Sequence, residues 1–535
     1  MEKAKFGMIG LGTMGRNFLL NVAENGFSSV GYDLDAEKRK LLLAEGASFD
    51  IQTADDIRDF AAKIETPRKI MLLVPAGGIV DSVINELLPL LNKSDLIIDG
   101  GNSHFSDTER RQKLLTEKEI NFLGVGVSGG EEGARNGASI MIGGDLAAYE
   151  QVEPILEAVS AKVNGEPCAA HVGAGSAGHF VKMVHNGIEY GLMQILAETY
   201  DFMRRVLCLS YEEMSRTFAV WNNSQLNSFL VEITSEVLRK VDADTGKPLV
   251  EMVLDKAAQK GTGKWTSQAA MDLGVPVPTI DAAVAMRQIS ALKELRVLAA
   301  KSYGAESPLD LRNLELAQAK TVHSEPLNAP KAERHRRDFE TVASQQQKFQ
   351  IDARIEPDGG NGEHPVETEK SEKLQKDFAE HKQEFVQRLE NALINSFIVT
   401  YAQGLSLLQT ASIEKNYNLD LAEIAKIWRG GCIIRSALLD EMRQAFTENP
   451  QLPNLILDER FKEILNEKRG DWRLMVGEFT ESRVPALCLS SALAYFDALR
   501  TQRLPANLTQ AQRDFFGAHT YQRIDREGVF HTPDW

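Results

Sequence analysis

Cysteine is scarce in this sequence and scattered: Cys168, Cys208, Cys432 and Cys488 form no CxxC pair and stand beside no histidine at zinc-ligand spacing. A disulfide-stapled scaffold and a zinc-built domain are both excluded, which leaves reduced packing thiols and no expected metal. Long apolar runs are missing too, since none approaches the ~20 residues of a membrane helix. Lys3, Ala4 and Lys5 lead straight into an apolar strand and a glycine turn, with no signal-peptide core, so a cytoplasmic location is expected. Positive charge is in deficit, with 60 Lys and Arg against 76 Asp and Glu and a formal charge of -16. Non-specific binding to nucleic acid or to an anionic membrane is therefore disfavoured, and an anionic substrate would need a locally basic pocket. What the chain does have is length: 535 residues, 43% hydrophobic, enough to bury a large core without staples. At roughly 150 residues per domain the expectation is about three and a half domains.

Short apolar runs at residues 6–9, 29–32, 69–74, 96–99, 122–127 and 139–142 alternate with helical stretches. That alternation predicts an α/β, doubly wound parallel sheet, placed here in a domain spanning residues 1–177. From about Gly178 a 3.6-residue period takes over and predicts a large all-α domain over residues 178–503. A polar break at about residues 307–373 interrupts it. Residues 355–372, IEPDGGNGEHPVETEKSE, have almost nothing to bury and read as an exposed loop inside an insertion. The basic run at residues 331–337 reads as a solvated helix face. Leu374, Phe378, Phe385, Leu389, Leu393 and Phe397 then recur at spacings of four and seven and predict an amphipathic helix. Residues 504–535 form an irregular tail.

Gly10, Gly12 and Gly15, with Thr13 and Met14 between them, make a GxGxxG turn between a strand and a helix. The glycines permit a tight turn and close approach to a pyrophosphate at the helix N-terminus. Alone the motif could be a plain turn, but Asp33 ends the second strand 18 residues after Gly15, where a carboxylate would accept bonds from the adenosine ribose. The same carboxylate would repel a 2′-phosphate, and Leu34 and Asp35 supply no cation. NAD is therefore expected in preference to NADP.

On the helix beginning at Gly178, Lys182, His185, Asn186 and Glu189 share one arc while Val184 and Ile188 lie opposite. Lys182 and Glu189 stand about 10 Å apart along the axis, a span a sugar acid could bridge; a solvated helix face is the alternative. The turn Ser128-Gly129-Gly130 offers a hydroxyl and successive N–H groups, either as an anion nest or as a plain loop. Lys260-Gly261-Thr262-Gly263-Lys264-Trp265-Thr266 is basic and glycine-rich, suited to phosphate, but it lacks the spacing of an NTPase loop.

Together these segments resemble the decarboxylating 6-phosphogluconate dehydrogenases. The resemblance rests on GLGTMG from Gly10, IIDGGNS to Ser103, GVSGGEEGAR to Arg135, GHFVKMVHNGIEYG from Gly178, KGTGKWT from Lys260, WRGGCIIRS from Trp428 and LPANLTQAQRDFFGAHTY to Tyr521, in family order. It implies a Rossmann-type domain, then an all-α domain and a C-terminal tail. It also implies oxidation of 6-phosphogluconate at carbon 3, hydride transfer to nicotinamide, loss of carbon dioxide and release of ribulose 5-phosphate, a step of the pentose phosphate pathway. By the family pattern Lys182 is the general base and Glu189 protonates carbon 1 of the enediol. Asn102, Ser128, Gly129, Gly130, His185 and Asn186 match contacts to the carboxylate and hydroxyls; Tyr190, Lys260, Thr262, Arg287 and Arg513 match phosphate ligands. Val74 and Asn102 match the cofactor side. Arg513 and His519 belong in the family to a tail that completes the partner subunit's site, so a homodimer with shared sites is expected. Two features depart from the pattern. Asp33-Leu34-Asp35 replaces the Asn-Arg-Thr of NADP-dependent members, with Pro75 where many carry Lys, and the polar insertion is additional. Another β-hydroxyacid dehydrogenase would usually be shorter and lack KGTGKWT and the tail; a non-catalytic NAD sensor would be expected to lack Lys182 or Glu189.

Overall fold

The computed structural model describes residues 2–304 and 365–535, with side chains from residue 380 in the second segment. Most of the polar break, including its basic run at 331–337, lies outside the described residues. Eight strands form one sheet: β1 (Phe6–Ile9), β2 (Ser29–Tyr32), β3 (Ile51–Thr53), β4 (Lys69–Leu72), β5 (Leu96–Asp99), β6 (Asn121–Ser128), β7 (Ser139–Gly144) and β8 (Ala169–Gly173). Helices α1 (Thr13–Glu24), α2 (Ala36–Glu45), α3 (Ile57–Lys63), α4 (Gly78–Leu87), α5 (Phe105–Thr116) and α6 (Gly130–Asn136) connect the first seven. FGMI in β1 and LIID in β5 are wholly buried, as strands covered on both faces should be. Alternate side chains feed two cores, with Phe6 and Met8 in one and Ile9 in the other.

The strand order is β8-β7-β6-β5-β4-β1-β2-β3. The chain leaves β1 toward β2 and β3, then returns to lay β4 on the other side of β1. The crevice at the carboxyl ends of β1 and β4 is where an open sheet of this kind takes its ligand. Two sequence expectations need correction. The sheet has two more strands than the six apolar runs predict, because half-exposed Ile51-Gln52-Thr53 and the small residues of β8 carry little hydrophobic signal. It is also not parallel throughout: β6 and β7 pair antiparallel and β7 and β8 parallel, so the last two strands run against the rest. The connection through α6 is too short for a parallel crossover, which needs about a dozen residues or more.

Helix α7 (Ala177–Arg205) is buried along most of its length and lies on β6 and β7. Missing side chains set how close it comes. A Cβ on Gly178 would sit 2.2 Å from the Gly124 carbonyl oxygen, and one on Gly126 would sit 2.4 Å from Cβ of Lys182. Helices α8 (Tyr211–Trp221), α9 (Phe229–Arg239), α10 (Thr262–Asp272), α11 (Pro278–Ala291), α12 (Lys293–Tyr303), α13 (Pro365–Glu414), α14 (Leu421–Ile427), α15 (Leu438–Glu448), α16 (Glu459–Glu481) and α17 (Leu487–Leu499) follow. All but α12 contribute buried side chains to one core with α7. Helix α13 starts at Pro365, so residues 365–373 are helical where the sequence reading put the end of the polar break. Proline suits a first helical turn, and the Glu- and Lys-rich run after it is a good helix former despite having no apolar stripe. Farther along α13, Leu389, Leu393 and Phe397 are buried as their spacing predicts.

The tail is not irregular as the sequence reading had it: it consists of α18 (Ala506–Gly517) and a small hairpin pairing Tyr521–Gln522 with Val529–Phe530. Buried Asp514 ties it together, accepting bonds from the Thr520 and Thr532 amides, the Trp535 indole and the His531 ring. No described helix is long and apolar enough to cross a membrane.

Candidate active site

At the end of β1, Gly10 adopts φ +97° and a Cβ on Gly15 would lie 1.9 Å from the Gly10 carbonyl oxygen, so turn and helix meet backbone to backbone. Around Gly12 there is open space, and no side chain caps the first turn of α1. Those free N–H groups suit a phosphate. Thr13 is exposed, Met14 half-buried, and Val74 from the loop after β4 packs against the Gly10 turn. Asp33 accepts bonds from the amides of Leu11 at 2.8 Å and Asp35 at 3.0 Å, which fixes its carboxylate beside the glycine turn. The residues therefore fit a dinucleotide. Leu34 and Asp35 supply no cation, but α2 does: Lys38 Nζ lies 3.5 Å from the Asp33 carboxylate and Arg39 donates to the Asp33 carbonyl at 2.6 Å.

Deeper along the sheet, the face of α7 predicted from spacing is buried at Lys182, His185 and Asn186 and half-buried at Glu189, not solvated. Lys182 is 6% exposed and His185 fully buried. Lys182 Nζ donates to Asn186 Oδ1 at 2.8 Å and lies 3.3 Å from His185 Nδ1, while His185 Nε2 lies 3.2 Å from Ser128 Oγ at the end of β6. Glu189 stands one turn on, 3.9 Å from His185. Burial lowers the Lys182 pKa from the ordinary ammonium value and raises that of Glu189 from the ordinary carboxyl value. Burial, then the neighbouring Lys182, drives His185 well below the usual imidazole range, so the ring is neutral. Both shifts run toward the uncharged form, and each is opposed by the charge of the other residue. Gly129 and Gly130 adopt φ +123° and +63°, turning the chain from β6 into α6 beside this cluster.

A second group begins at Tyr190, the next residue of α7 after Glu189. The Arg287 guanidinium sits 3.4 Å over the Tyr190 ring and donates to the Ala258 carbonyl. Gly263 lets α10 approach Tyr190, since a Cβ there would be 2.4 Å from the ring. Thr262 is buried at the start of α10, and Lys260 is exposed just before it. Asn102 is exposed on the loop after β5. Arg513 and His519 are not brought to this cluster within one chain: Arg513 bonds Gln510 and His519 meets the Phe516 ring edge to face, both in the tail.

Sequence reasoning did not assign roles to several supporting residues. The Trp428 ring meets His185 edge to face at 5.7 Å. Gly431 accepts the Ser139 amide bond at 2.8 Å and approaches Gly129 so closely that a Cβ there would be 2.5 Å from its oxygen. Thr108 bonds His179, three residues before Lys182, at 2.7 Å. The paired glycines of Trp428-Arg429-Gly430-Gly431 were the available signal for a close backbone contact; nothing local marked Thr108.

The family model described as the NAD binding domain of 6-phosphogluconate dehydrogenase matches residues 5–173, and that of the 6-phosphogluconate dehydrogenase C-terminal domain matches residues 178–355 and 361–535. The chain is 45% identical over 535 residues to the NADP(+)-dependent, decarboxylating 6-phosphogluconate dehydrogenase of Bacillus subtilis, covering 100% of both chains. It is 42% identical over 536 residues to the decarboxylating enzyme of Escherichia coli, again covering 100% of each. Among solved structures, Plasmodium falciparum 6-phosphogluconate dehydrogenase superposes with a TM-score of 0.84 at 38% identity, over 99% of this chain and 100% of that one. The chain belongs to the 6-phosphogluconate dehydrogenase family.

Proposed function

We propose that this chain catalyses the oxidative decarboxylation of 6-phosphogluconate to ribulose 5-phosphate and carbon dioxide, with NAD as the preferred oxidant. The observation that carries the reading is the placement on one face of α7 of buried Lys182 and half-buried Glu189 with His185 between them, 3.3 Å from Lys182 and 3.9 Å from Glu189; burial shifts the Lys182 pKa down and that of Glu189 up. The bound nicotinamide supplies the hydride acceptor. Neutral Lys182 takes the proton of the carbon 3 hydroxyl as that carbon becomes a ketone. The resulting ammonium hydrogen-bonds the ketone oxygen while the bond to the carboxylate breaks and its electron pair moves toward that oxygen. Protonated Glu189 then delivers its proton to the carbon the carboxylate has left, carbon 1 of the product.

Ser128, Gly129, Gly130, His185, Asn186 and Asn102 are proposed to hold the carboxylate and hydroxyls. Tyr190, Lys260, Thr262 and Arg287 are proposed to hold the phosphate, with Arg513 and His519 arriving from a second copy of the chain. Local cations then offset the overall negative charge. NAD preference rests on the Asp33 carboxylate beside the glycine turn. Lys38 and Arg39 favour the second reading, use of NADP, because they could turn toward a 2′-phosphate. Steady-state assays with 6-phosphogluconate and each cofactor decide it. Turnover with NAD at roughly tenfold or greater advantage is expected, and Asp33→Asn should erode that advantage; an NADP preference in the native chain would overturn the cofactor reading, and no turnover with either would overturn the function.

A further inference from the structure

Arginine 111 lies on α5, outside every group described above, and is 1% exposed. All five of its N–H donors are engaged. Nε donates to Asp81 Oδ1 at 2.8 Å, and Nη2 donates to the Gly77 carbonyl at 2.9 Å and to Asp81 Oδ2 at 3.3 Å. Nη1 donates to Asp99 Oδ2 at 3.1 Å and to Ser103 Oγ at 3.2 Å. The Ser103 hydroxyl donates to Asp99 Oδ2 at 2.7 Å, and Asp99 Oδ1 accepts the Gly101 amide. One guanidinium therefore spans two loops at adjacent strand ends: residues 73–77 after β4, which pack on the Gly10 turn, and residues 100–103 after β5, which carry Asn102. Three residues earlier on α5, Thr108 holds His179 of α7 at 2.7 Å, three residues before Lys182.

We propose that Arg111 is a positioning residue that fixes the spacing between the two cofactor-side loops and the Lys182 helix, with α5 as the rigid link. The proposal rests on the functional reading above for what those loops hold. A planar fork that reaches two loops at once cannot be replaced by an ammonium, which is a point charge on a flexible stem. Displacing either loop by about 1 Å is enough to cost roughly 100-fold in rate.

The test compares Arg111→Lys, Ser103→Ala and Arg110→Ala in the full chain, using fluorescence titration with NADH and NADPH, steady-state kinetics and thermal melting. Arg111→Lys is expected to weaken reduced-cofactor binding about tenfold and to lower kcat/KM about 100-fold. Arg110 shares Asp81 but is half exposed, and Arg110→Ala should change neither quantity by more than about twofold. Should Arg111→Lys fail to fold, Ser103→Ala carries the test: it leaves the Asp99–Arg111 pair intact, and is expected to lower kcat about tenfold while the melting temperature falls by no more than a few degrees. Native cofactor affinity and kinetics in a folded Arg111→Lys chain, or in Ser103→Ala if that variant alone folds, would overturn the proposal. A native chain that binds reduced cofactor yet does not turn over 6-phosphogluconate would sink the functional reading instead, and the clamp would then be judged on the Arg111→Lys and Ser103→Ala titrations alone.

Discussion

Two side chains seven residues apart decide the chemistry proposed here, and burial acts on them in opposite directions. Lowering the Lys182 pKa keeps the amine neutral to lower pH, so activity falls as pH drops through that lowered value. Raising the Glu189 pKa keeps the carboxyl protonated to higher pH, so activity falls as pH climbs through that raised value. A bell-shaped kcat profile is the expected result. Glu189→Gln cannot lose a proton; it should be slower by about 100-fold and show the acid limb without the alkaline one. Retention of the alkaline limb in that variant would reassign it to another group. Lys182→Ala should lose about 1,000-fold or more in kcat while NADH titration stays close to native, because Lys182 lies deep to the glycine turn. A native rate in Lys182→Ala would reject it as the base.

At the scale of elements, the site exists because α7 reaches the sheet where glycine allows it. A methyl group at Gly126 would meet both Cβ of Lys182 and, at 3.0 Å, the Gly178 carbonyl, neither of which is a flexible chain end. Gly126→Ala should therefore lower the unfolding free energy by about 1–3 kcal/mol and reduce kcat about 100-fold, as read by denaturant melts and initial rates. How much of this was legible beforehand follows from the kind of signal each element carries. Buried strands such as β1 and β5 read as apolar runs, and the polar arc of α7 reads from its period, although periodicity alone left a solvated face open. Strands β3 and β8 escaped because one is half exposed and the other is built from small residues. Arg111 escaped because FSDTERRQKLLT is the pattern of an ordinary surface helix; only tertiary packing shows which of its two adjacent arginines points inward. The cations of α2 escaped because they lie a helical turn away from Asp33 in sequence.

At the scale of the molecule, the tail presents apolar side chains to solvent. Phe515 and Phe516 are 69% and 72% exposed beside Arg513, the kind of apolar display that a contact with a second chain would cover. If the tail completes a partner's site, two inactive variants should rescue one another. Mixing Lys182→Ala and Arg513→Ala chains, with subunit exchange, should restore about a quarter of native sites, since half the random dimers are hybrids and each carries one intact site. No recovery under conditions of proven exchange would place Arg513 in its own subunit's site. The wall behind that site has a further consequence, one concerning synthesis. All eight strands of the sheet are complete by Gly173, yet the Ser139 hydroxyl bonds the carbonyl of Ile427, 288 residues later, and Gly431 closes on Gly129 from the same distant turn. On the ribosome the nucleotide crevice can be finished while the far wall of the proposed substrate site has not yet been translated, so on that reading the growing chain acquires a place for its cofactor well before it acquires one for its substrate.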